Sequence, residues 1–128
     1  MLISDLYKSA LELLAETNKS ASFGDYEERT PYILALFCNE AADLDGKYRA
    51  ANNLPPTPEY SALMLSFSET FPLSDAFISS AVFYLASMLI FDENPEMSDK
   101  LFDKYTSRMA EIYSNLPAGI EKIKIVYI

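Results

Sequence analysis

Apolar positions along the first third of the chain recur at helical intervals. Ile3, Leu6, Tyr7, Ala10, Leu13 and Leu14 share one side, with Lys8, Glu12 and Glu16 opposite, which predicts an amphipathic helix over residues 3–16. The polar stretch TNKSASFG follows as a loop. Asp25 with Glu28 has the spacing of a capping box opening a second helix over residues 25–50. Its apolar stripe is Ile33, Phe37, Ala41, Leu44 and Tyr48. Pro31 leaves two readings open. Either the helix kinks there, or Thr30-Pro31 is the N-cap and first residue of the main helix.

Three prolines and two asparagines in ANNLPPTPEY predict an extended loop over 51–61. Leu63, Leu65 and Phe67 then alternate with Met64 and Ser66, the period-two pattern of a short strand over 62–67. Pro72 announces a third helix over 73–92, and Asn94-Pro95 the N-cap and first residue of a fourth over 95–116. On that fourth helix Leu101, Tyr105, Met109, Ile112 and Leu116 lie opposite Asp99, Lys100, Asp103, Lys104, Ser107 and Glu111. The β-branched ending IEKIKIVYI alternates around Ile123, Ile125 and Tyr127, so a C-terminal strand is expected near 120–127, within a tail of 118–128. The expected fold is mainly α: one four-helix domain of 128 residues with two short strands.

Within the third helix, AFISSAVFYLASMLIF (76–91) carries no charge. Sixteen residues rise only about 24 Å along a helix, short of the roughly 30 Å of hydrocarbon a spanning helix must cross. Asp75 and Asp92-Glu93 flank it, with no Lys or Arg to anchor it, so a membrane span is not expected. At 100° per residue, Ala76, Ser79, Ser80, Ala86 and Ser87 fall within an arc of about 120°, shared with Phe83 and Ile90. Phe77, Ile78, Val82, Tyr84, Leu85, Met88 and Leu89 occupy the remainder. A helix apolar on all sides is buried on all sides, which predicts a central helix in an antiparallel hairpin with the fourth. Its small-residue arc admits close approach of another helix, from its own domain or from a neighbouring subunit.

Composition narrows the chemistry. The net charge of −9 and pI near 4.3 speak against a partner held by its phosphates and against an anionic membrane surface. The single cysteine, Cys38, lies in the apolar run YILALFCNEA and reads as a small buried hydrophobe, as expected in a reducing cytoplasm. The N-terminus lacks the basic region and long apolar core of a signal peptide. No histidine is present, which removes the commonest general base, the commonest metal ligand and every His-based nucleophile arrangement. Three glycines form no phosphate-binding loop. Asp92, Asn94 and Glu96 alternate faintly like a calcium loop, but Met97 stands where the turn needs Gly and Asp103 where the bidentate Glu belongs. Asp43 and Asp45 diverge on a helix and make no catalytic pair. No catalytic residue, cofactor or metal ligand is assigned, and no enzymatic activity is expected. The seventeen aromatics, nine Tyr and eight Phe, read as core.

The order of these segments resembles a known family. A short helix precedes DYEERTPYILALFCNEAADLD, a proline-rich loop and LMLSFSETFPL. Then come DAFISSAVFYLASMLIFDENPEMSDKLFDKYTSRMAEI and a terminal IEKIKIVY. Over nearly the whole chain this is similar to the small helical head–tail connector (adaptor, head-completion) proteins of tailed phages and prophages. The resemblance implies a structural virion neck protein, made in the bacterial cytoplasm and assembled at the head–tail junction. Copies would form a ring with the portal's twelve-fold symmetry, bind portal and the next neck or tail protein, and let DNA through without specific binding. Ser79, Ser80, Ala86, Ser87, Ile123, Ile125 and Tyr127 are the candidate subunit-interface residues. The C-terminal strand would pair with a neighbour or with residues 62–67 of its own subunit. The alternative is a small acidic helical module that regulates a basic partner by charge complementarity.

Overall fold

The computed structural model describes residues 1–14 and 23–117. Four helices account for most of them: α1 (Ile3–Leu14), α2 (Phe23–Ala51), α3 (Ile78–Ile90) and α4 (Pro95–Ser114). Buried side chains from all four fall in one apolar cluster, which includes Leu6, Leu34, Phe37, Phe77, Leu85 and Leu101.

The charge-free segment forms the central helix, but it is not buried on all sides as expected: Ser79 is exposed, Ile78, Val82 and Phe83 are half-buried, and Phe91 is 57% exposed. α3 packs against α1, α2 and α4. It ends in a tight turn in which the Asn94 N–H donates to the Ile90 carbonyl (2.8 Å), and Asn94 caps α4 by accepting from the Met97 N–H (3.0 Å). Pro95 follows at the first helical position, where its missing N–H costs nothing. α3 and α4 therefore run antiparallel. Phe37 of α2, Tyr84 of α3 and Tyr105 of α4 meet at centroid distances of 5.0–6.0 Å and join three helices at one point. Among the described residues no helix is long and apolar enough to cross a membrane.

Helix boundaries depart from expectation where a backbone donor finds another acceptor. The third helix does not begin at residue 73. Leu73 is buried, and the extended Ser74 gives its N–H to Asp45 Oδ1 (2.9 Å), so one 3₁₀ turn (Asp75–Phe77) leads into α3. α2 starts before Asp25, which sits inside the first turn, 3.3 Å from Arg29. The helix runs through Pro31 without restarting at Thr30, whose hydroxyl donates to the Tyr26 carbonyl (2.8 Å). α4 stops at Ser114, two residues short of expectation, with Asn115 as its C-cap.

The strand expected over 62–67 is not formed. Its backbone groups bond helices and local side chains instead: Asn39 Nδ2 of α2 donates to the Ala62 carbonyl (2.7 Å), the Leu65 N–H to the Pro31 carbonyl (3.1 Å), and the Ser4 N–H of α1 to the Phe67 carbonyl (3.1 Å). Residues 62–65 thus lie antiparallel along two turns of a helix, which offers no strand edge. Only Leu65 of the alternating set is buried, while Leu63 is 82% exposed. A single antiparallel bridge, Leu2 to Thr70, is the one β-pairing among the described residues. The expected C-terminal strand, with Ile123, Ile125 and Tyr127, lies outside the described residues, as do residues 15 and 16 of the first expected helix.

Candidate functional site

The long connection between α2 and α3 is anchored by one buried carboxylate. Asp45 is wholly enclosed on α2. Arg49, one turn on, donates from Nε to Asp45 Oδ2 (2.9 Å), Thr57 Oγ1 donates to the same oxygen, and the Ser74 N–H to the other. Arg49 then reaches across the loop to the carbonyls of Pro55 (2.9 Å), Pro56 (3.4 Å) and Pro72 (3.2 Å). Prolines offer carbonyls but no N–H, so a guanidinium with five donors suits this loop. Burial alone would raise the Asp45 pKa, but the hydrogen bonds from Thr57 and Ser74 together with the Arg49 charge hold it below the ordinary carboxylate value. Asp43, two residues away, is exposed and faces Lys47 (3.5 Å), so the two acids diverge as their spacing requires.

The small-residue arc of α3 is largely used within the chain. Ser80, Ala86 and Ser87 are buried, and only Ser79 reaches the surface. Ser87 and Ser98 bond reciprocally across the α3–α4 contact: each hydroxyl donates to the other's carbonyl at 2.9 Å. The missing bulk on α3 lets α4 approach closely enough for this exchange. Ser79 lines an open, mostly apolar groove of about 300 Å³ between α1 and α3, with Ser9, Leu13, Ile78, Val82 and Phe83. Lys104 of α4 stands over the Phe83 ring, 5.8 Å from its centroid.

A second apolar surface was not singled out by the sequence pattern. Tyr32 and Leu36, one turn apart on the outer face of α2, are 60% and 50% exposed. The segment 62–65, hydrogen-bonded along the same helix, leaves Leu63 and Met64 exposed as well. Glu28 precedes and Glu40 and Asp43 follow Tyr32 and Leu36 along the helix, all three exposed. The usable signal was the i, i+4 pair of Tyr32 and Leu36, which falls outside the Ile33–Phe37–Ala41 stripe.

Cys38 is buried in the core as expected, and burial first, then the nearby Asp45 charge, pushes its thiol pKa up to about 12. Among the described residues no group of three Cys, Asp or Glu is placed to hold a metal ion. No family model, no curated protein and no solved structure matches this chain.

Proposed function

We propose that this chain is a structural assembly subunit, a head–tail connector of the tailed-phage type. In this reading, copies associate side by side as a ring beneath the portal, extend the DNA channel, and present a platform to the next neck or tail component. The protein would occupy the bacterial cytoplasm during assembly and the head–tail junction of the virion afterwards. The observation that carries the reading is the bulky side chains left exposed on α2 and on the segment laid along it, Tyr32, Leu36, Leu63 and Met64. That segment is held in place by hydrogen bonds to α2, so it is preorganised, which lowers the ordering cost of association. The order of segments along the whole chain supports the same reading, as does a net charge of −9, which would repel the DNA backbone.

The test is light scattering after size exclusion, with the chain alone at high concentration and mixed with the portal of the same phage or prophage. Oligomers, or a portal complex, are the expected result. A chain that stays monomeric and does not bind portal contradicts the proposal. The exposed carboxylates of Glu28, Glu40 and Asp43 on α2 favour a second reading, a regulatory module acting on a basic partner. That reading predicts a monomer whose binding to such a partner weakens steeply with salt.

A further inference from the structure

We propose that the proline-rich connection between α2 and α3 carries a latched flap: residues 55–61 swing away as one unit when the Asp45–Arg49 pair lets go, while residues 62–74 stay in place. The flap belongs to one subunit and opens whether or not copies of the chain associate.

The two halves of the connection are held by different means. The second half is tied through its backbone. The Leu65 N–H donates to the Pro31 carbonyl (3.1 Å) and the Phe71 N–H to the Met1 carbonyl (2.7 Å), while the Phe67 and Glu69 carbonyls accept from Ser4 (3.1 Å) and Ile3 (2.9 Å). Among the described residues, no backbone–backbone hydrogen bond joins residues 55–61 to the rest of the chain. Pro55, Pro56 and Pro58 have no N–H to offer. Side chains hold this half instead: Arg49 on the Pro55 and Pro56 carbonyls, Thr57 on Asp45, and a long bond (3.3 Å) from the Tyr60 hydroxyl to Asn39 Oδ1. Of residues 55–61 only Thr57 and Tyr60 are half-buried, and the others are exposed. Little burial therefore opposes release, which is the mark of a segment that opens before the core does.

The latch is a single ion pair that grips both halves. Besides the flap carbonyls, Arg49 bonds the Pro72 carbonyl (3.2 Å), and besides Thr57, Asp45 takes the Ser74 N–H (2.9 Å). One guanidinium, with donors to spare, clamps the halves together. Beside the clamp they are parted. A recess of about 220 Å³ has Pro58, Glu59 and Tyr60 on the flap side and Glu69, Thr70, Phe71 and Pro72 on the fixed side. Opening widens this recess over Phe71, which is 5% exposed in the closed form. The flap is bounded by Asn53, whose left-handed backbone (φ 56°) follows the end of α2, and by Ala62, whose carbonyl Asn39 Nδ2 holds at 2.7 Å.

The experiment is chymotrypsin digestion of the full chain under native conditions, read by mass spectrometry, because each half offers a cleavable bond, after Tyr60 and after Leu63. Exposure alone favours Leu63, 82% exposed, over the half-buried Tyr60. In Arg49→Gln the cut after Tyr60 should be about tenfold faster than in the wild type, the equivalent of one charge-assisted hydrogen bond. The cut after Leu63 should keep its rate, and the helical circular dichroism should be retained. Equal acceleration at both bonds, or none at Tyr60, would overturn the proposal. The wild type gives a second reading that does not depend on how the variant folds. At low urea its cut after Tyr60 should rise only slightly, because releasing so exposed a segment uncovers little new surface. A rise as steep as that of global unfolding would show that the flap opens only with the whole chain, and would overturn the proposal too.

Discussion

Replacing Asp45 by asparagine puts an amide N–H where Arg49 and Thr57 both donate to a carboxylate oxygen. Breaking one side of a buried ion pair is costly, so Asp45→Asn should lose about 3 kcal/mol in urea unfolding. The sign of the pH effect follows from the depressed pKa. The stabilisation is fully present above the unfolded carboxylate's pKa and is lost as pH falls through the lower folded value. The wild type should therefore lose stability on acidification more steeply than Asp45→Asn does. Equal slopes would show that the pair does not govern acid unfolding. Cys38 runs the other way. Its thiol is raised from the ordinary 9.0 to about 12, so its contribution is complete below pH 9 and declines as pH rises through that interval. At pH 8 a thiol reagent should leave the native protein unmodified and label it fully in urea; rapid labelling of the native protein would contradict its burial. The burial of Cys38 was legible from its apolar neighbours. The role of Asp45 was not, because its partners Thr57 and Ser74 come from loop positions that no period marks.

Helices were legible in this sequence because each carries its own stripe, and α4 also its Asn-Pro start. The strand over 62–67 was misread for a physical reason. Alternation shows that every second residue is buried only when a sheet lies behind it, and here the surface behind is one helix whose carbonyl and amide groups bind the backbone. Pro31 was ambiguous because proline removes one helical donor without ending the helix when its neighbours pack, and Pro31 and Thr30 are both buried in α2. The small arc of α3 had two readings, and its Ser87 end meets α4 of the same chain. Ser87→Ala and Ser98→Ala should each cost about 1 kcal/mol and add in the double variant, because each hydroxyl donates to a backbone carbonyl that survives the other's substitution. A double variant that loses clearly less than the sum would show that the two hydroxyls are coupled through their own 3.0 Å contact.

At the scale of the molecule, four helices enclose one core and leave bulky side chains exposed, Tyr32, Leu36 and Leu63 among them. The helical architecture could be read from periodicity. The candidate site could not, because an exposed Leu or Tyr carries the same letter as a buried one, and only the fold shows that residues 62–65 lie along α2 with Leu63 and Met64 exposed. An assembly subunit should need those side chains for association and not for folding. The most direct measurement is sedimentation equilibrium of the wild-type chain beside a Leu36→Glu/Leu63→Asp double variant, both positions being at least half exposed. The account predicts concentration-dependent association of the wild type and a monomeric variant with an unchanged urea midpoint. A wild type that stays monomeric throughout, or a variant that associates as the wild type does, would contradict it.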